Sequence, residues 1–226
     1  MRSINKGIID SLPTLPAYLF IGLIFGIYGM EQGLGLMSTI FMSISMFHGA
    51  AQFVALNLIA INSGIAAILI AILFINTRYL MCSAGLALHL RNLGLGKTLL
   101  ISSMVTTPTF AVAMKTFGKE GGNWLYLLGL HLITYLTWVI GTTIGGVIGM
   151  EIPLFLQEGM KFTFYALLIG ILSIGYRSVE NLLNIVLCGI ISISIYYLTP
   201  TAINIIIAPS AAATVMILVE QWKREL

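Results

Sequence analysis

Long apolar runs alternate with short polar interruptions along the whole chain. Divided at charges, glycines and prolines, it leaves candidate spans at 12–30, 34–61, 65–90, 98–117, 123–149, 153–175, 181–198 and 201–220. A run of about 20 apolar residues matches the hydrocarbon core of a bilayer. Lipid offers no hydrogen bonds, so each run must satisfy its own backbone as a helix. The pattern predicts an all-α polytopic membrane protein, a single domain over 1–226 with about eight (7–8) transmembrane helices. The run 34–61 exceeds one crossing and predicts a tilted or broken helix. Only Thr199 and Pro200 separate the last two runs, which fit equally a hairpin that stops short of crossing. The first run, near Leu12–Met30, lacks a small-residue cleavage pattern and is expected to remain as a span, not a signal peptide.

Three stretches place helix-weakening and polar residues at membrane depth. They are Met46-Phe47-His48-Gly49-Ala50-Ala51-Gln52, Val105-Thr106-Thr107-Pro108-Thr109 and Ile207-Ala208-Pro209-Ser210-Ala211-Ala212-Ala213-Thr214. Proline removes a backbone donor and crowds the preceding turn. Freed carbonyls then survive only under cover of protein or water. The first and third stretches share a layout: a helix interruption, small residues, then a polar side chain. Matching interruptions in two halves point to a transporter site between inverted repeats. Gly22, Gly26 and Gly29 share one helix face, as do Gly141, Gly145 and Gly149. This spacing lets backbones approach, and packing within the chain is expected over a subunit interface.

Composition agrees with the pattern. Hydrophobic residues make up 58% and charged residues 8%, against about 25% charged in soluble domains. No room remains for a sizeable soluble domain. The net charge of +3 includes no basic cluster beyond Lys223–Arg224, which argues against nucleic-acid binding. With eight spans and the N-terminus inside, Arg2, Lys6, Lys115, Lys119, Arg177, Lys223 and Arg224 fall on the cytoplasmic side, and Arg91 and Lys97 opposite. That bias predicts a multi-pass protein of the cytoplasmic membrane with both termini cytoplasmic. Trp124–Tyr126, Tyr196–Tyr197 and Trp222 read as interfacial anchors. Cys82 and Cys188 lie in separate apolar segments, and the three histidines are scattered, so no metal centre or cofactor is expected.

One charge interrupts the apolar pattern. No formal charge separates Glu31 from Arg78, and Arg78 stands in Ile75-Asn76-Thr77-Arg78-Tyr79. An arginine at membrane depth costs about 2.5–3.5 kcal/mol on insertion scales, and such residues usually line a pathway. Its planar fork suits a carboxylate. It equally suits the exposed carbonyls of a broken helix. Asn76 is placed to orient Arg78 or cap a break, and Gln52 to bind substrate or bridge helices. Gly49, Ala50, Thr106, Thr107, Pro209 and Ser210 complete the expected binding region. His48 is the candidate coupling group, because imidazole changes charge near neutral pH. His131, near Thr134, Tyr135 and Trp138, reads as packing.

Gly49-Ala50-Ala51-Gln52-Phe53 followed by Asn76-Thr77-Arg78-Tyr79 resembles the AzlC family, the large subunits of bipartite branched-chain amino acid exporters. Thr106 and Phe110-Ala111 fall where that family tends to carry Thr-Asp-Glu-x-Phe-Ala. Here Thr107-Pro108 stands in place of the acid pair, and His48 where a small residue is usual. The resemblance implies export of branched-chain or similar apolar amino acids and a small AzlD-type membrane partner. It implies no enzymatic activity. No Walker-type motif appears, so energy would come from a gradient or from another chain. The readings from other classes are a non-transporting assembly subunit and an intramembrane enzyme. The latter lacks a Glu-x-x-His or Gly-x-Ser-x-Gly motif.

Overall fold

The computed structural model describes residues 2–90, 93–120, 122–151, 179–198, 211 and 214–215. The expected spans 153–175 and 201–220 lie outside them, apart from those three isolated positions. Every regular element among the described residues is helical: α1 Arg2–Ser11, α2 Leu15–Glu31, α3 Leu36–Ser45, α4 Gly49–Ala60, α5 Ile65–Ala87, α6 Leu95–Ser103, α7 Thr107–Glu120, α8 Trp124–Glu151 and α9 Val179–Leu198. A 3-10 turn, Leu12–Thr14, joins α1 to α2. Its Pro13, and Pro16 in the first turn of α2, sit where no backbone donor is needed. Among the described residues, three stretches are long and apolar enough to cross a bilayer: Ser3–Glu31, Ile65–Ala87 and Trp124–Glu151.

The expected single spans 34–61 and 98–117 are each two helices. In the first, α3 and α4 are separated by Met46–His48, where the sequence pattern placed an interruption. In the second the break differs from expectation. Pro108 does not kink a continuous helix; it lies in the first turn of α7, where proline is tolerated. The non-helical residues are Met104–Thr106, just before it. Thr106 and Thr109 explain why α7 starts there. The Thr106 amide donates to Thr109 Oγ1 at 3.0 Å, and the Thr109 amide donates back to Thr106 Oγ1 at 3.5 Å. Reciprocal capping of this kind meets two of the donors that open a helix.

The α1–α2 run packs along the length of α8. A Cβ on Gly22 would lie 2.6 Å from the Trp138 carbonyl oxygen, and one on Gly145 2.8 Å from Leu23 Cα. Gly26 faces Thr142 and Gly146, and Gly141 faces Leu19. The two glycine faces therefore close on each other within the chain. Gly7 and Gly129, not foreseen from the pattern, extend the seam: Gly7 meets Tyr126 and Leu130, and Gly129 meets Ile4. Numbers rise together along both helices, so α2 and α8 run parallel. Asn123 Nδ2 donates to Ser3 Oγ at 3.1 Å, joining the starts of the pair. Parallel spanning helices need an odd number of crossings between them. With α5 crossing once, the broken pairs α3–α4 and α6–α7 together contribute an even number, so either both cross or neither does.

Candidate functional site

The two breaks meet against α5. His48, in the first break, stacks on Tyr79 with ring centroids 4.3 Å apart. The Val105 backbone of the second break lies close to the His48 ring. Arg78 Nη2 donates to the Tyr79 hydroxyl at 2.7 Å, and the guanidinium lies 4.8 Å from the Tyr79 ring centroid. Tyr79 thus stands between Arg78 and His48. From α2, the Tyr18 hydroxyl hydrogen-bonds to Thr106 Oγ1, and its ring stacks on Phe47, with centroids 5.7 Å apart. Side chains from α2, α5 and both breaks converge here.

Gln52 resolves one ambiguity. It is wholly buried, and its Nε2 donates to the carbonyls of Met42, at 3.1 Å, and Met46. The Tyr135 hydroxyl donates to the Ile44 carbonyl at 2.8 Å. These carbonyls end α3, where helices leave orphan acceptors. Gln52 and Tyr135 therefore support the break, and Arg78 does not. Gln52→Leu is expected to destabilise the protein by about 1–3 kcal/mol by leaving buried acceptors unmet. A melting curve in detergent checks this; an unchanged midpoint counts against it.

Other expected residues divide. Gly49 opens α4 under the Trp138 indole, where a Cβ would sit 2.8 Å from Cη2. Ala50 and Thr107 are exposed. Asn76 is half-buried with Oδ1 unpartnered among the described residues, and it makes no contact that orients Arg78. Arg78 itself is exposed on α5. Pro209 and Ser210 lie outside the described residues. Tyr126 corrects an expectation: it is no interfacial anchor but is buried, with its hydroxyl donating to Asp10 Oδ2 at 2.9 Å. His131 is wholly buried, and neither ring nitrogen has a hydrogen-bond partner among the described residues. An unmet buried polar group of this kind costs about 1–3 kcal/mol.

Along α5, Tyr79, Ser83 and Leu86 recur at helical spacing on one face, and Leu90 follows just past its end. The last three line a crevice shared with Ile101, Ser102 and Val105 of the α6 side. It encloses about 50 Å³ and is walled chiefly by apolar side chains. One end therefore reaches Val105, beside His48, and follows the α5 face that carries Tyr79.

Residues 13–152 match the family described as AzlC protein. The chain belongs to the AzlC family. Among its relatives, a membrane protein of Archaeoglobus fulgidus is 28% identical over 92% of this chain and 91% of its own length. A Helicobacter pylori membrane protein is 26% identical over 80% of this chain and 81% of its own. The Bacillus subtilis protein named branched-chain amino acid transport protein AzlC is 28% identical over 71% of this chain and 63% of its own length. No solved structure matches. The AzlC match and the apolar helices make this a membrane protein. It also covers every site element described above: Tyr18, both breaks and the Arg78–Tyr79 pair.

Tyr18, Tyr79 and Asp10 went unassigned by sequence reasoning in this AzlC-family chain. A signal existed for the tyrosines. Both stand well inside apolar runs, whereas lipid-anchoring tyrosines gather near the ends.

Proposed function

We propose that the chain is the transporting subunit of a secondary exporter for branched-chain or similar apolar amino acids. The observation that carries this is the meeting of two helix breaks with Arg78 and Tyr79 on α5. The name of the Bacillus subtilis relative supports the substrate class. Two donors of Arg78 grip the substrate carboxylate, and Tyr79 holds the guanidinium in place. The apolar side chain is directed to the crevice beyond Ser83 and Leu86, which at about 50 Å³ must widen to take it, since ligand pockets hold about 300–1,000 Å³. Thr106 lies in the second break, Gly49, Ala50, Gln52 and Thr107 open the helices that follow the two breaks, Asn76 stands on α5 beside Arg78, and Pro209 and Ser210 are proposed to approach the site from the C-terminal part. Transport in place of catalysis fits the family, and the whole chain acts as one domain of about eight crossings with both termini cytoplasmic.

Half-helices that end at unwound backbone can tilt separately, which is how such sites open alternately to either side. A small AzlD-type partner is proposed to cover the exposed face of α5, including Leu73, Leu80 and Met81. The deciding measurement is labelled leucine flux into membrane vesicles, with this chain expressed alone and with the small partner. Flux that requires this chain supports the reading. Equal flux from the partner alone makes this chain an assembly subunit.

His48 is proposed to couple flux to pH. His48→Ala is expected to flatten the dependence of flux on pH between about 5 and 8, the range over which imidazole titrates. An unchanged profile in the variant removes His48 from coupling.

A further inference from the structure

The α8 helix presents an interior stripe of Leu127, His131, Thr134 and Trp138, spaced four, three and four residues apart and all buried. Two of the four carry unmet polar atoms. Both ring nitrogens of His131 and Nε1 of Trp138 are buried without a hydrogen-bond partner among the described residues. The Trp138 ring lies 6.2 Å from the Phe47 ring and against Gly49, so this end of the stripe touches the first break on both sides of His48.

At the other end stands an acid. Asp10 Oδ2 accepts from the Tyr126 hydroxyl at 2.9 Å and from Thr116 Oγ1 at 3.3 Å, and these two hydroxyls lie 3.1 Å apart. On α7, Thr109 and Thr116 are seven residues apart and share a face. Thr109 Oγ1 pairs with Thr106 Oγ1 at 2.9 Å, and Thr106 pairs with Tyr18. Leu127 and Leu130 pack with Val105, Ala113 and Phe117. His131 follows Leu130 in the chain and stands one turn beyond Leu127 on α8, after Tyr126 and before Trp138.

We infer that a proton route follows α8 from Asp10 through the Thr116 and Tyr126 hydroxyls to His131, and on to the junction of His48 and Thr106, with His131 as the relay. A wholly buried imidazole with two open nitrogens can accept a proton on one face and release one from the other. Buried polar atoms without protein partners are where internal water sits, and the route requires water between these groups. The balance is simple: one proton enters at the Asp10 carboxylate, one leaves beside His48, and each hydroxyl and imidazole returns to its starting form. Glu31 ends α2 at the opposite end of the helix pair from Asp10, and the other titratable groups on helices packed against α8 do not interrupt this line. Lys97 covers the Trp124 ring at 4.4 Å, Lys115 is exposed, and Tyr28 bonds to Asn57. Lys6 lies one turn before Asp10 on α1, Tyr135 bonds to the Ile44 carbonyl, and Tyr18 already belongs to the route.

This inference rests on the transport reading, and two assays separate them. Exchange of labelled for unlabelled leucine at equal pH needs substrate binding and reorientation but no net proton movement. Uphill leucine flux driven by a pH gradient needs both. His131→Gln is expected to retain exchange within about twofold of wild type and to lose gradient-driven flux by about tenfold or more. Asp10→Asn should show the same split. If His131→Gln drives flux as wild type does, the relay is wrong and the transport reading stands. Loss of exchange together with gradient-driven flux in a folded variant assigns His131 to packing and also overturns the relay. Should His131→Gln fail to fold, Asp10→Asn and a pyranine record of lumenal pH in wild-type vesicles decide. Leucine flux without proton movement, or Asp10→Asn with normal drive, overturns the route. Absence of exchange in the wild type removes the transport reading, and the relay falls with it.

Discussion

Arg78→Ala will lose leucine flux by about 100-fold or more, because two charge-assisted hydrogen bonds to the carboxylate disappear at about 1.5–3 kcal/mol each. Arg78→Lys keeps the charge but not the planar fork, and is expected to lose about tenfold or more. Neither change should harm folding. Arg78 is exposed, and its contacts among the described residues are to the neighbouring Tyr79. The ring of Tyr79 stays stacked on His48 after the change. Expression, membrane insertion and melting temperature should therefore match wild type. The two measurements must be read together. Full flux in both variants at normal expression would sink the carboxylate clamp. Loss of flux accompanied by a large fall in melting temperature would return Arg78 to a structural role.

The second large effect is on stability. Gly26→Leu and Gly145→Leu should prevent the protein from accumulating in a folded state, and Gly22→Ala should lower its stability by about 1–3 kcal/mol. The cause is geometric. Any Cβ at these positions points into the backbone of the facing helix, with no flexible side chain to give way. Gly64→Ala is the control. It meets nothing within 4 Å, and its φ of −60° suits any residue. Fluorescence-detected gel filtration after a heat step measures all four. A Gly26→Leu protein as stable as Gly64→Ala would show that the seam between α2 and α8 does not hold the fold.

Much of this was legible in the sequence because lipid restricts the choices. Runs of apolar residues could only be helices, and α5 and α8 appear close to their expected bounds. The small-residue faces of Gly22, Gly26, Gly141 and Gly145 were visible because backbone contact demands that spacing, though the spacing did not say that the two faces meet each other. The first break was visible in the excess length of 34–61 and in His48-Gly49. The second was placed slightly late, since Pro108 marks a helix start as readily as a kink and the Thr106–Thr109 cap fixed which. The partners were less legible. Tyr18 and Thr106 are 88 residues apart, and no periodicity links a lone hydroxyl on one helix to a break on another. Asp10 carries no signal in the sequence, because only the fold brings Tyr126 and Thr116 onto it. Arg78 was conspicuous by its charge alone, yet the contacts that decide between its two roles belong to Gln52 and Tyr135.

The parallel seam of α2 and α8 has a mechanical consequence. Gears slip when compliant teeth lie between them; here the notches are glycines and the teeth are backbone. Shifting one helix past the other would bring a side chain, such as Ile27 or Leu23, onto a carbonyl before the next notch arrived. About four residues, or roughly 6 Å of travel, separate successive notches. The pair therefore behaves as a fixed post. Movement that opens the site must be sought in the half-helices hinged at Met46–His48 and Met104–Thr106, and spin labels across the post should report one distance while labels on α4 and α7 report two.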